Sequence, residues 1–170
     1  MTGHEPCTTA IWKTEIAHPV LGVLGAFATD RGVCALLWDP EHDRRYRFDA
    51  ATDAPSHPVL AQLRQELDAY FAGARRAFEV PLDPHGTAFQ RQVWAALEAI
   101  PFGATRTYAQ LAASVGRPRA ARAVGAANGR NPISIVVPCH RVIGANGQLT
   151  GFAGGLRNKR WLLEHEAHSP

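Results

Sequence analysis

A cysteine followed directly by a histidine, Cys139-His140, is the pair of side chains in this sequence best suited to chemistry. A thiolate is a strong nucleophile, and a nearby imidazole can take the proton of the thiol. The preceding residues 133–137 are mostly β-branched and predict a short buried strand, and Pro138 restrains the backbone just before the cysteine. The residues alone leave two interpretations open: a nucleophile placed at the end of a strand, or a packed thiol beside a surface histidine.

The three cysteines, Cys7, Cys34 and Cys139, are an odd number at irregular spacing. They match neither a disulfide framework nor a paired CxxC metal site, so a reducing compartment is the simpler interpretation. Residues 1–6 lead into no sustained apolar stretch, which argues against a secretory signal peptide, and no apolar run approaches the roughly 18 residues of a membrane span. We therefore expect a cytoplasmic protein with no membrane association.

Charge is distributed unevenly along the chain. Residues 1–100 carry 9 Lys/Arg against 13 Asp/Glu, whereas residues 101–170 carry 9 against 2, so the net charges are −4 and +7. A basic lobe can bind a nucleic-acid backbone by displacing its condensed counterions. A solvated basic surface without a partner would have the same composition.

The basic part of the chain has the sequence pattern of a helix-turn-helix. Residues 108–115 predict a short helix, Gly116-Arg117-Pro118 a tight turn, and residues 119–128 a second helix. The second helix has a surface of small residues interrupted by Arg122; these residues are Ala120, Ala121, Ala123, Gly125, Ala126 and Ala127. Such a surface could approach DNA closely through the minor groove, or it could serve a tight contact between helices, and composition does not choose between the two.

The N-terminal part of the chain predicts strands followed by a helix. Residues 20–28 and 33–38 predict a hairpin, and residues 44–49 predict a third strand. Residues 58–71 carry one apolar stripe at helical spacing and begin with a proline, and Gly73 follows where a helix should end.

These patterns together predict an α+β fold in two parts. Residues 79–86, with two prolines, predict an extended linker, after which Thr87 can cap a helix that runs to about Ile100. We expect an N-terminal lobe (residues 1–80) with a small antiparallel sheet and a helix. A mainly helical C-terminal domain (residues 81–170) should hold the helix-turn-helix and the active-site cysteine.

The segment Pro138-Cys139-His140-Arg141-Val142 resembles the active-site signature of the O6-alkylguanine-DNA alkyltransferases, also called methylated-DNA-protein-cysteine methyltransferases. Further motifs of that family follow in its order and spacing: Phe89-Gln90-Arg91-Gln92-Val93-Trp94, Ile100-Pro101-Phe102-Gly103, Thr107-Tyr108, Ala120-Ala121-Arg122-Ala123-Val124-Gly125, Asn131-Pro132, and Gly154-Gly155 through Glu164-His165-Glu166. The resemblance covers about residues 86–166. The N-terminal lobe resembles the ribonuclease H-like lobe of the family only in size and layout.

The resemblance implies direct-reversal DNA repair without a cofactor. Cys139 would take the alkyl group from O6-alkylguanine, and from O4-alkylthymine as a second substrate, in one irreversible displacement. His140, through a water, would take the thiol proton, and Glu166 would orient the imidazole. Tyr108 would donate a hydrogen bond to N3 of the departing guanine, and Asn131 would hold the turn between the DNA-reading helix and the cysteine.

The same resemblance implies that the partner is double-stranded DNA containing an alkylated guanine. The second helix would lie in the minor groove, and Arg122 would fill the space that the flipped nucleotide leaves. The other residues placed against DNA are Ala120, Ala121, Ala123 and Gly125.

The base pocket implied by the resemblance departs from the family at one place. Backbone carbonyls at Cys139 and Val142 would accept from the exocyclic amine of the base, and Phe152, Ala153 and Gly154 would line the pocket. Many members have tyrosine followed by a hydroxyl residue or glycine where this chain has Phe152-Ala153. No side-chain hydroxyl at this place can therefore donate to O6 of the guanine, and the backbone N–H of Ala153 is the donor that is left.

Some relatives hold zinc in the N-terminal lobe. The residues Cys7, Cys34, His57 and His85 do not reproduce the spacing of that site, so we expect no required metal. We also expect a monomer, because the sequence has no heptad pattern or other clear dimerisation signal, and cooperation between copies along DNA stays open.

Three other classes of protein share part of this pattern. A non-catalytic lesion-binding relative would have tryptophan in place of Cys139. A cysteine hydrolase would use the Cys-His pair, but it would leave the helix-turn-helix unexplained. A transcription regulator would explain that motif and the basic lobe, but not the Cys-His-Glu set.

Overall fold

The computed structural model describes residues 9–169, and its N-terminal half is built around a four-stranded sheet. The strands are β1 (Trp12–His18), β2 (Gly22–Thr29), β3 (Gly32–Leu37) and β4 (Thr52–Asp53), in the order β3-β2-β1-β4. The pairs β1–β2 and β2–β3 are antiparallel, and the short β4 adds to β1 in parallel. The predicted hairpin is confirmed as β2–β3, and the sheet is antiparallel apart from β4.

Two strand predictions need correction. The predicted third strand at residues 44–49 is wrong, because side chains hold this segment in irregular conformation: Asp43 accepts from the Arg45 backbone and guanidinium, and the Arg45 Nη1 donates to the Gly129 carbonyl at 2.8 Å. Strand β1 was not predicted. Its alternation of exposed Lys13 and Glu15 with buried residues is a period-two signal that was overlooked.

A single long helix covers the sheet and joins its core. Helix α1 (Pro58–Phe71) has the predicted bounds and ends before Gly73, which has φ +74°. Its buried residues are Leu60, Leu63, Glu66, Leu67 and Tyr70. The leucines and Tyr70 pack with β-strand residues such as Ile16, Leu24 and Leu36 in one apolar core.

The predicted linker at residues 79–86 runs along the edge of the sheet. The Val33 N–H donates to the Pro81 carbonyl at 2.8 Å, and the Asp83 N–H donates to the Val33 carbonyl at 2.8 Å. A Cβ at Gly32 would stand 2.5 Å from the Pro81 carbonyl oxygen, so glycine is required for this close approach. The segment is therefore extended, as predicted, and also packed.

The C-terminal half is mainly helical. Its elements are α2 (Ala88–Glu98), β5 (Arg106–Thr107), α3 (Tyr108–Ser114), α4 (Ala121–Gly129), β6 (Val142–Ile143) and α5 (Gly155–His168), with β5 and β6 paired in parallel. Thr87 and Thr107 each form a capping box at the start of α2 and α3. The Trp94 indole N–H donates to the Ala127 carbonyl at 2.9 Å and so ties α2 to α4. The predicted helix-turn-helix is confirmed as α3–α4.

The predicted buried strand at residues 133–137 is wrong, although the segment is buried. Only Ile133 makes an isolated bridge, to Leu36 of β3. The chain then turns on local bonds, with Val137 N–H donating to the Ile133 carbonyl at 3.0 Å and Ile135 at φ +71°. Apart from this single bridge, the β-branched run therefore reflects burial in the core and not pairing with a neighbouring strand. Within residues 9–169, no helix is both long and apolar enough to span a membrane.

Candidate active site

Cys139 begins a 3₁₀ helix, Cys139–Arg141, at the end of the buried turn, and only 5% of the residue is exposed. Burial raises the pKa of its thiol, while a hydrogen bond from Asn131 and the charges of Lys159 and Arg45 act in the opposite direction. The net shift is upward, so at neutral pH the sulfur carries its proton. A base must therefore remove that proton before the sulfur can attack.

Asn131 supports the turn that leads to this cysteine. Its amide Nδ2 donates to the Val137 carbonyl at 2.8 Å, and its Oδ1 accepts from the Ile133 N–H at 3.0 Å. Both atoms of the side-chain amide are thus used in fixing the backbone between α4 and the 3₁₀ helix.

His140 is oriented by Glu166 of α5. The ring Nε2 lies 2.7 Å from Oε1 of the carboxylate, and both side chains are fully buried. An ionised carboxylate only accepts hydrogen bonds, so Nε2 carries the proton and Nδ1 is the free base of the neutral ring. Within the described part of the chain, Nδ1 has no hydrogen-bond partner. Burial lowers the pKa of His140 in spite of Glu166, so the ring is a neutral base.

Glu166 remains ionised because it accepts several hydrogen bonds. Within residues 9–169 it accepts from the Tyr70 hydroxyl (2.8 Å), His140 Nε2 (2.7 Å), Arg141 Nη2 and Nε (both 2.9 Å) and the Gly103 N–H (3.1 Å). Burial alone would raise the pKa of Glu166, but the bonds and charges of His140 and Arg141 hold it well below its usual range. Arg141 supplies the balancing charge, which leaves His140 free to be neutral.

Sequence reasoning gave no role to Tyr70 or Arg141. Arg141 lies inside the quoted signature next to His140, so its position was the available signal. Tyr70 lies 96 residues from Glu166 in sequence, and nothing local indicates that the two meet.

Lys159 of α5 is a buried cation that ties two pocket segments together. Its Nζ donates to the Val142 carbonyl at 2.5 Å and to the Thr150 carbonyl at 2.9 Å, and burial lowers its pKa. The Val142 carbonyl, which the sequence analysis assigned to the base amine, therefore already accepts one hydrogen bond. Its second lone pair is the one left for a ligand.

An open cavity of about 650 Å³ lies between the two halves of the molecule, above this site. The C-terminal half contributes Tyr108, Gly125, Phe152 and Ala153, and the other wall is formed by residues Trp38, Asp39 and 42–45. The Tyr108 hydroxyl accepts from Thr150 Oγ1 at 3.3 Å and so lies at the edge of the cavity.

The space directly at Cys139 is much smaller, about 10 Å³, and is lined also by Arg45, Asn131, Phe152 and Ala153. This is about the space that a single water molecule needs. A planar base can therefore reach the sulfur only if the segment with Phe152-Ala153 or the side chain of Arg45 moves.

Gly154 packs directly on an indole ring, and a larger residue should not fit. A Cβ there would stand 2.5 Å from Cδ2 and Cε2 of Trp38. We expect Gly154→Ala to lower the free energy of unfolding by about 1–3 kcal/mol, because overpacking forces the ring or the backbone to shift. Urea denaturation measures this. Gly129→Ala is the control, since a Cβ at Gly129 meets nothing within 4 Å; an equal loss in both variants would contradict the steric explanation.

Helix α4 presents Arg122 and the small residues Ala123 and Ala126 outwards, but Ala127 of the predicted small-residue surface is buried. Val124, Ala127 and Asn128 are buried on its inner side, whereas Arg122 and Ala123 are exposed. Ala120, Ala121 and Gly125 are half-buried, and Gly125 faces the Tyr108 ring. The contacts between helices thus use only one side of α4, and a surface next to the cavity stays accessible.

The four residues considered for zinc do not form a site in the part of the chain described. His57 stacks on Trp12 at 5.4 Å, His85 lies 3.4 Å from Asp83, and Cys34 is buried with its pKa raised to about 12 by burial. Cys7 lies outside the described residues. Across residues 9–169, no group of three or more His, Cys, Asp or Glu side chains could hold a metal ion.

Comparison with protein families matches both halves of the chain. Residues 13–84 match the model "6-O-methylguanine DNA methyltransferase, ribonuclease-like domain", and residues 88–168 match "6-O-methylguanine DNA methyltransferase, DNA binding domain".

Individual relatives agree with these matches. The chain is 61% identical over 142 residues to a methylated-DNA–protein-cysteine methyltransferase of Salmonella typhimurium, covering 79% of this chain and 82% of the relative. It is 60% identical over 102 residues to one of Methanosarcina acetivorans, covering 60% of this chain and 65%, just under two thirds, of the relative. The crystal structure of Mycobacterium tuberculosis OGT in complex with DNA superposes with a TM-score of 0.80 at 45% identity, covering 90% of this chain and 91% of that one.

Proposed function

This chain belongs to the 6-O-methylguanine DNA methyltransferase family, and from that premise we propose that it repairs DNA by direct reversal. It transfers the alkyl group of O6-alkylguanine, and of O4-alkylthymine, in duplex DNA to its own Cys139, once per molecule. The observation that carries this proposal is the buried thiol beside a neutral His140 whose ring is fixed by Glu166. The enzyme is a methylated-DNA–protein-cysteine S-methyltransferase and needs no cofactor.

The proton moves before the alkyl group. Nδ1 of His140, the unprotonated ring nitrogen, accepts the thiol proton of Cys139 through a water, and Glu166 stabilises the imidazolium that forms. The thiolate then attacks the alkyl carbon. A carbon–sulfur bond forms, the carbon–oxygen bond breaks, and its electron pair remains on the guanine, where Tyr108 donates to N3 as negative charge develops. Asn131 keeps the turn of Cys139 in place during the displacement.

The product explains why each molecule acts once. An acyl-cysteine has a carbonyl that water can attack, but an alkyl thioether has none, and thiolate is a poor leaving group. The alkylated protein is therefore the end of the reaction, and the bulk of the group on a buried sulfur should destabilise the fold.

The lesion reaches the sulfur only after leaving the duplex. Helix α4 lies in the minor groove with Ala120, Ala121, Ala123 and Gly125 close to DNA, and Arg122 enters the stack to replace the flipped nucleotide. Arg122 is exposed on α4, the helix whose Gly125 lines the cavity, and this supports the arrangement.

The base pocket is formed by backbone groups more than by side chains. Phe152 and Gly154 line it, Val142 and Cys139 offer carbonyls to the exocyclic amine, and the Ala153 N–H donates to O6. We also propose that the functional units are residues 1–80 and residues 81–170, and that the protein acts as a monomer in the cytoplasm.

A repair assay distinguishes this function from the alternatives. A duplex with one O6-methylguanine in a restriction site that the lesion blocks is incubated with the protein and then digested. We expect cleavage to be restored in proportion to the protein added, up to one duplex per molecule. A transcription regulator or a cysteine hydrolase would leave the site blocked, and that result would overturn the proposal.

Arg122 should matter for DNA and not for the chemistry. We expect Arg122→Ala to slow repair of duplex O6-methylguanine at least about tenfold. Flipping the nucleotide costs a few kcal/mol, and in the variant no side chain fills the space that the nucleotide leaves in the stack. Reaction with free O6-benzylguanine, measured by intact mass, should change less than twofold. Arg122→Lys keeps the charge without the planar guanidinium and should also slow duplex repair. Equal losses of Arg122→Ala on both substrates would contradict the stacking role.

A further inference from the structure

The side chain of Tyr70 connects the N-terminal half of the molecule to the active site. Tyr70 is the last buried residue of α1, and its exposed fraction is 0%. Its hydroxyl donates to Oε1 of Glu166 at 2.8 Å. Its ring is held by aromatic neighbours on several sides, namely Phe71, Phe78, Phe102 and His165, with ring centroids 5.1–6.0 Å away. The position of the hydroxyl is therefore fixed by packing.

The oxygen that Tyr70 contacts is the one that orients the base. Oε1 of Glu166 accepts from Tyr70, from His140 Nε2 at 2.7 Å and from Arg141 Nη2 at 2.9 Å. Burial and the charge of Glu166 raise the pKa of Tyr70 far above its ordinary value, so the hydroxyl keeps its proton and donates. A third donor on one oxygen reduces the negative charge available to the other two.

Resting on the function proposed above, we propose that Tyr70 is a positioning residue for alkyl transfer. It fixes Oε1 of Glu166 where His140 Nε2 needs it, and by sharing the charge of that oxygen it keeps the imidazole neutral and able to accept the thiol proton. The N-terminal half thus contributes directly to the chemistry of a cysteine carried by the C-terminal half.

The test removes one oxygen atom and follows the reaction as a function of pH. Tyr70→Phe keeps the ring in its aromatic surroundings and loses only the hydroxyl. The probe is free O6-benzylguanine, which reacts without DNA binding, and the readout is the rate of mass gain between pH 5 and 9. Other titratable and charged groups facing His140, Glu166 or the Tyr70 ring are unchanged in the variant; these are Cys139, Arg141, Lys159 and His165.

Two changes are expected in Tyr70→Phe. The rate on the alkaline plateau should fall about threefold, because the carboxylate is held by fewer donors. The acid limb of the pH–rate profile, where the rate falls as His140 is protonated, should move to higher pH by roughly half a unit to one unit. The reason is that Glu166 with one donor fewer stabilises the imidazolium more strongly. The direction of the shift is the informative part. A stronger interaction of Glu166 with the imidazolium raises the pKa of His140, so the neutral base is lost at a higher pH.

A purely structural role would leave the acid limb in place. Leu63→Val is the matched control, because Leu63 is buried on the same helix and has no polar contact with the site. It should lower stability without moving the limb. If Tyr70→Phe, corrected for its folded fraction, shows the plateau and limb of the unmodified protein, the positioning role is wrong. If the unmodified protein reacts with neither free O6-benzylguanine nor duplex O6-methylguanine, the proposed function is wrong as well.

A second measurement needs no variant and covers the case in which Tyr70→Phe does not fold. The hydroxyl proton of Tyr70 should give a slowly exchanging NMR resonance in the unmodified protein, because it is buried and donated to a carboxylate. That resonance should shift with pH in step with the imidazole of His140. A hydroxyl proton that exchanges rapidly, or that ignores the titration of His140, would overturn the proposal.

Discussion

Cys139→Ala should abolish alkyl transfer completely while the fold and the binding of DNA persist. The substitution removes one sulfur from a space that already admits almost nothing, so the backbone turn held by Asn131 has little reason to rearrange. No other group at the site can take its place. His140 has a free ring nitrogen but lies with its side chain fully buried, and Glu166 is saturated with donors.

Cys34→Ala is the matched control for this result. Cys34 is the other cysteine of the described chain, it is buried in β3, and burial raises the pKa of its thiol to about 12. It should therefore be a poor nucleophile, and the variant should accept one alkyl group as the unmodified protein does. Residual transfer in Cys139→Ala, measured with a labelled methyl group on duplex DNA, would contradict the assignment of the acceptor.

Glu166→Gln should give the second largest effect, on both rate and stability. An amide can still accept from His140, but it cannot stabilise an imidazolium, so we expect alkyl transfer to slow at least about 100-fold. The change also leaves the guanidinium of Arg141 buried without a countercharge, which should cost about 3–5 kcal/mol of unfolding free energy. Rates with free O6-benzylguanine and urea denaturation measure the two effects.

Glu164→Gln separates this effect from general changes of α5. It makes the same chemical change two residues away, at an exposed position on the same helix. We expect a rate within twofold of the unmodified protein and a stability within about 0.5 kcal/mol, as for an ordinary surface substitution. If Glu166→Gln kept more than half of the rate, the imidazole would not need a carboxylate partner and the proposed proton path would be wrong.

Local signals in the sequence were sufficient for most helices. Pro58 begins α1, Gly73 follows its end with a positive φ, and Thr87 caps α2 as predicted. These features act within a few residues, where steric preference and side-chain-to-backbone bonds decide the structure. The helix-turn-helix was predictable for the same reason.

The surroundings of Cys139 were not predictable from local signals. The turn before it depends on the side chain of Asn131 and on one bridge to Leu36, a residue almost a hundred positions earlier. The β-branched residues there are equally consistent with a strand, and only their burial among other elements decides. Likewise the irregular segment near Arg45 is held by the Gly129 carbonyl, 84 residues away, which no pattern in either segment indicates.

The roles carried over from the family signature concerned the residues inside its motifs. Cys139, His140 and Glu166 were selected in this way. Cys139 and His140 are neighbours in sequence, and the structure brings Glu166 to His140. Tyr70 lies outside every motif that was quoted, and its burial on α1 resembles that of any core residue. Its hydroxyl becomes interpretable only once the position of Glu166 is known, because the meaning of a buried donor depends on its acceptor.

The most direct test of the central claim is a measurement of mass and stoichiometry on the unmodified protein. The protein is mixed with an excess of duplex containing O6-methylguanine, its intact mass is recorded, and its peptides are mapped. We predict a gain of one methylene unit per molecule, located on Cys139, with repair stopping when every molecule is labelled. Repair of many lesions per molecule, or a label on Cys7 or Cys34, would contradict the account.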